Sequence, residues 1–217
     1  MTVSSPTERL VEDVAAVYFQ VLGIANKNGA DLDDTGERNG VAQFLLPGRV
    51  SAALRQLNPD LPDNAFEQVI RSLSHHPHPT LIQNNRWFHT QYTDGVEVEY
   101  RESITGEIRG RRARLIDFDN PQQNDLLVAR QMTFAGPSGA FIRPDLTVFL
   151  NGLPVAVIEL KDPSDKGADL NTAIGQLGRY VQTAPDLFVP NLFLAVSDGL
   201  LTRVGSITSE PARRISS

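Results

Sequence analysis

Residues 143–161 read RPDLTVFLNGLPVAVIELK and constrain the chain more than any other stretch. Two apolar runs flank Asn151-Gly152. In the first, Leu146, Val148 and Leu150 point one way while Thr147 and Phe149 point the other, so neither face is polar. Strands with no wet side lie inside a sheet that is covered on both faces, which predicts an α/β architecture. Asp145 opens the first run, and Glu159 and Lys161 close the second. Burying ionised groups without partners costs several kcal/mol each, so a shared partner is expected. A divalent metal satisfies both carboxylates at once.

The spacing also predicts an irregularity. A regular two-residue turn at Asn151-Gly152 would set Asp145 opposite Ile158 and turn Glu159 to the other face, because side chains alternate along a strand. For Asp145 to face Glu159 the pairing has to centre on Gly152. That requires a longer connection or a bulge near Asn151–Pro154, and Pro154 favours it by lacking an amide donor. Glu159 and Lys161, two apart, then share one face with Asp145.

Pro144-Asp145 followed by Glu159-Leu160-Lys161 resembles the PD-(D/E)xK nuclease motif. The stretches LRQLNPDLP, RLIDFDNPQQND, RPDLTVFLNGLPVAVIELK, GQLGRY and LFLAVSDGLLTRVGS together resemble more than that motif. Their order and spacing, from the first helix to about Ser206, resemble the N-terminal nuclease domain of the R (restriction) subunit of type I restriction-modification enzymes. The resemblance implies an α/β, PD-(D/E)xK restriction-endonuclease-like core: αβββαβ, a mixed sheet flanked by helices, with extra N-terminal helices. It implies Mg²⁺-dependent hydrolysis of double-stranded DNA. Asp145, Glu159 and the backbone carbonyl of Leu160 would hold the metal, and Lys161 would position the attacking water and oppose developing charge. Glu12, on the first helix, reads as a further metal carboxylate or as an ordinary solvated glutamate. Gln176 and Tyr180, four apart on a helix over about 169–183, project together, and the resemblance associates them with holding DNA.

The same resemblance implies partners, namely a specificity subunit that reads sequence and a methyltransferase subunit. ATP belongs to the motor of the longer family protein. No G-x-x-x-x-G-K-S/T phosphate loop occurs here, so residues 1–217 read as a single nuclease domain separated from its motor. The rival is a non-catalytic docking module that retains the nuclease fold, and the intact Asp145, Glu159 and Lys161 set argues against it.

The 217 residues, 41% of them apolar, suffice for one sizeable core. No window approaches the ~18 apolar residues of a membrane span, and the N-terminus lacks a signal-peptide core, so a cytoplasmic location is expected. The absence of cysteine excludes disulfides and cysteine-based zinc sites. A formal net charge of -6 opposes strong free-standing DNA binding. Arg109, Arg111, Arg112 and Arg114 form one basic run that either tracks phosphate or covers a sheet edge.

Elsewhere the patterning predicts helices over 6–22, 49–57 and 63–74, a short helix within 79–91, and strands at 96–100, 112–118, 126–134 and 191–197, with an edge strand in 200–207. Residues 26–39 lack an apolar period and read as a loop. His75, His76 and His78, broken by prolines, read as the end of a helix rather than a metal site. Asp117, Asp119 and Asp125 read as turn chemistry.

Overall fold

The computed structural model describes residues 6–102, 105–163 and 170–209, with only the backbone of residues 6–8. Its centre is a six-stranded mixed sheet in the order β1 (Ala25–Asn28), β4 (Leu126–Arg130), β7 (Leu146–Leu150), β8 (Leu153–Leu160), β9 (Phe193–Ser197), β10 (Thr202–Gly205). β4, β7 and β8 pair antiparallel. Helix α6 (Leu170–Thr183) then carries the chain over to β9, which lies parallel to β8. With α1 (Pro6–Val21) in front, the expected αβββαβ order is present. Additional helices α2 (Gly29–Asp34), α3 (Pro47–Leu57), α4 (Asp63–Leu73) and α5 (Leu81–Asp94) stand between β1 and the hairpin of β2 (Val96–Arg101) and β3 (Ile108–Ala113).

The absence of a wet face on the central strands has the predicted result. Val128, Leu146, Val148 and Ala156 pack into a core with α3, α4 and α5. Leu127, Ala129, Phe149 and Val157 pack into a second core beneath α6. The Asn151-Gly152 connection is a two-residue turn with positive φ at both residues, 52° and 80°, the conformation of a tight hairpin turn. The predicted bulge exists as well. It falls at Val155, just past Pro154 and opposite the Val148–Phe149 step, so Leu146 pairs with Ile158, the last pair of the ladder, and Asp145 and Glu159 are the next residues along the two chains.

Several expectations need correction. Residues 26–39 are not a plain loop. β1 pairs parallel with β4, and its sequence ANKN shows no apolar period because the ladder, not side-chain burial, holds it. α2 follows, with the Asn28 side chain accepting from the Ala30 N–H at 3.1 Å and Leu32 fully buried as its anchor. The second strand of the hairpin runs over 108–113 rather than 112–118, pairing throughout with β2. The helix placed within 79–91 extends to Asp94 and stops at Gly95 with φ 80°. The strand expected over 126–134 breaks after Arg130, where Gln131 turns into the left-handed region. Phe134–Ala135 (β5) and Phe141–Ile142 (β6) then make a small separate hairpin. The start of the helix at Asp169 lies outside the described residues. No described helix is long and apolar enough to cross a membrane.

Candidate active site

At one end of the sheet, the end of β4, the start of β7 and the end of β8 converge. Asp145, Glu159 and Lys161 are all buried there, Glu159 with 1% of its surface exposed. Asp145 accepts from the Leu160 N–H at 2.7 Å through Oδ2 and from Gln131 Nε2 at 2.9 Å through Oδ1. Lys161 Nζ lies 3.5 Å from Glu159 Oε1 and donates to Gln176 Oε1 at 3.1 Å. Gln176 Nε2 donates to Glu159 Oε1 and, at 2.7 Å, to the Tyr180 hydroxyl. The hydroxyl in turn donates to the Arg143 carbonyl at 3.3 Å. The i, i+4 spacing on α6 therefore does what helix geometry allows: Gln176 reaches both Glu159 on β8 and Lys161 just past its end, and Tyr180 ties α6 to the segment that enters β7.

Glu12, on α1, is also buried and is drawn toward the cluster through Gln131, whose Nε2 donates to its Oε1 at 2.9 Å. Gln131 was not a sequence candidate. A polar residue just past a strand carries no periodic signal, and only its left-handed backbone, φ 51°, marks it as unusual. Leu160 meets Asp145 through its N–H, a contact the motif does not spell out.

Burial, and after it the charge of Asp145, pushes the Glu159 carboxyl well above the usual carboxylate range, with Lys161 opposing. Tyr180 is raised as well, by burial first and then by Glu159. For Glu159 the folded chain holds a proton that the unfolded chain gives up near pH 4.5. The stability from this group is therefore complete below that pH and is lost as pH rises through the folded value. In EDTA, thermal melts should show stability falling from pH 5 to 8 more steeply for wild type than for Glu159→Gln. Parallel slopes would discard this account.

Glu159 Oε2 is buried with no hydrogen-bond partner. An orphaned carboxylate oxygen beside a second carboxylate is a donor set that suits a hard divalent cation, and Mg²⁺ is commonly held by one or two carboxylates and waters. Among the described residues no group of three or more His, Cys, Asp or Glu is gathered for a metal. Asp145 and Glu159 are a pair, and Gln131 stands between Asp145 and Glu12. The histidines are placed apart: His75 Nδ1 meets the Arg71 carbonyl, and His76 faces Asp186 and the Phe44 ring. Arg109 and Arg112 sit on the β2–β3 hairpin beside Glu102 and Asp94, and Arg114 pairs with Asp117. Asp117 Oδ1 accepts the N–H groups of Asp119 and Asn120, as turn chemistry predicts.

A mixed sheet flanked by helices, with two buried carboxylates, a lysine and a helix-borne Gln-Tyr pair at one end, defines an α/β nuclease-like core. The family model of the type I restriction enzyme R protein N terminus matches residues 5–213, and the chain belongs to that family. It is 32% identical over 206 residues to the type I restriction enzyme HindI endonuclease subunit of Haemophilus influenzae, covering 94% of this chain and 19% of that protein. A Methanocaldococcus jannaschii protein, provisionally named as the type I restriction enzyme MjaIXP endonuclease subunit, is 32% identical over 204 residues, covering 93% of this chain and 19% of its own length. The chain thus spans about a fifth of the length of these relatives.

Proposed function

We propose that this N-terminal domain is the DNA-cleaving part of a type I restriction enzyme, a Mg²⁺-dependent endonuclease of the PD-(D/E)xK class. The observation that carries the reading is the buried cluster of Asp145, Glu159, Lys161 and Gln176, in which one carboxylate oxygen has no partner. A structural ion pair has no use for a second, repelling carboxylate, whereas a cation site does.

Asp145, Glu159 and the Leu160 carbonyl would hold Mg²⁺, which when bound stabilises charge on the phosphate and lowers the pKa of water. Lys161 orients the attacking water and opposes the negative charge that grows on the phosphate oxygens. Water adds to phosphorus, the bond from phosphorus to the leaving sugar oxygen breaks, and that oxygen takes up a proton. Gln176 fixes Lys161 and Glu159 relative to each other, and with Tyr180 it holds the DNA strand across the site. Nothing in this arrangement reads bases. Sequence choice is left to a specificity subunit, with a methyltransferase subunit and an ATP-driven motor in the longer chain delivering duplex DNA in the cytoplasm. The net charge of -6 agrees with a domain that depends on such delivery.

The test is a Mg²⁺ titration by calorimetry, followed by nicking of supercoiled plasmid at low salt with Mg²⁺ or with EDTA. Binding together with Mg²⁺-dependent nicking supports the reading. Cation binding without nicking directs the assay to the enzyme reconstituted with its partner subunits, where EDTA-sensitive cleavage is expected. A chain that takes up no divalent cation would sink it.

A further inference from the structure

We propose that Gln131 is a positioning residue of this site, holding Asp145 in place and keeping Glu12 one amide away from the cation. The inference rests on the divalent-cation reading above. Three N–H groups come from this single residue. The backbone N–H donates to the Asp145 carbonyl at 2.9 Å, and Nε2 donates to Asp145 Oδ1 and to Glu12 Oε1, each at 2.9 Å. Both side-chain partners are carboxylates, which when ionised can only accept, so nitrogen rather than oxygen of the amide faces them. The left-handed backbone at φ 51° ends β4 and turns the side chain onto both acids.

The chemistry of the bridge is specific. An uncharged donor lies between two like charges from α1 and β7, so their approach is fixed without a cation. A planar amide using both hydrogens keeps its two acceptors ~5 Å apart, whereas neighbouring oxygens around Mg²⁺ stand ~3 Å apart. While the bridge stands, Glu12 Oε1 and Asp145 Oδ1 are not adjacent ligands of one ion. Glu12 therefore acts through Gln131, as an outer partner that fixes the inner one.

The test uses Q131M, which fills the same space without a donor, and Q131E, which keeps the shape and adds a further carboxylate between Asp145 and Glu12. Mn²⁺ affinity is read by calorimetry, and the gain in melting temperature at one fixed Mn²⁺ concentration is read beside it. Q131M should bind Mn²⁺ about tenfold more weakly, with a smaller thermal gain. Q131E should melt lower without cation and gain more from Mn²⁺ than wild type does. A merely structural role would lower the cation-free melting temperature and leave all three gains equal, which overturns the proposal. Asp145→Ala separates the two levels. If it loses Mn²⁺ binding while Q131M keeps wild-type affinity, the cation site stands and the role of Gln131 falls. If it binds Mn²⁺ as wild type does, both fall.

Discussion

Asp145→Ala is expected to abolish specific uptake of Mg²⁺ and to lower DNA cleavage about a thousandfold, corresponding to the several kcal/mol of charge stabilisation a metal supplies. Loss of fold is not the cause. The truncation leaves the buried Leu160 N–H without its 2.7 Å acceptor, a cost of about 1–3 kcal/mol, and takes one of the two side-chain acceptors from Gln131 Nε2, which keeps Glu12. It also removes a charge that repels Glu159, which would bring the Glu159 carboxyl down toward its ordinary range. The two effects oppose, so the melting temperature without cation should move little. Asp145→Asn removes the charge while its amide oxygen still accepts from the Leu160 N–H, at the cost of the bond from Gln131 Nε2, which would face the new amide nitrogen. Cleavage by the Asp145→Asn protein within tenfold of wild type, measured in the reconstituted enzyme, would remove Asp145 from the mechanism.

What the sequence made legible follows from where the physical signal is local. The central strands could be read because each side of β7 carries apolar residues, and the need for a bulge followed from counting residues between Asp145 and Glu159. The bulge lies one residue past the predicted window because Val155, next to Pro154, absorbs the extra residue while the tight Asn151-Gly152 turn is kept. β1 was not legible. Three of its four residues are polar and all but Asn26 are exposed, and only the β4 backbone over Leu127–Arg130 beside them makes a strand of them. The same limit applied at the site. Asp145, Glu159, Lys161, Gln176 and Tyr180 sit at spacings that a strand or helix repeats, so pattern finds them. Gln131 reaches Glu12, 119 residues away in the chain, across a strand end that has no period. Glu12 itself, one of several acids on its helix, became distinguishable from a solvated glutamate only through its burial and that bond.

Gly136→Ala should destabilise the chain by about 3 kcal/mol and disturb the site from a distance. A methyl group on Gly136 would lie 1.6 Å from the Thr183 carbonyl oxygen and 2.7 Å from its carbon. Both obstacles are backbone, so no rotamer change relieves the clash, and the two segments have to separate by more than an ångström. Thr183 is the last residue of α6, and Gly136 opens the β5–β6 turn, its N–H donating to the Ala140 carbonyl at 2.8 Å. One of these segments carries Gln176 and Tyr180, while the other leads through Arg143 to Asp145. Pushing them apart would stretch the 3.3 Å bond from the Tyr180 hydroxyl to the Arg143 carbonyl and draw Gln176 off Glu159 and Lys161. Urea unfolding should show a lower midpoint with unchanged slope, and cleavage should drop even at temperatures where the variant is folded. Gly48→Ala is the control, because a methyl group there meets nothing within 4 Å, and alanine suits the start of α3 at least as well as glycine. If Gly136→Ala unfolded at the wild-type urea midpoint, the close backbone contact between α6 and the entry to β7 would not hold the site together.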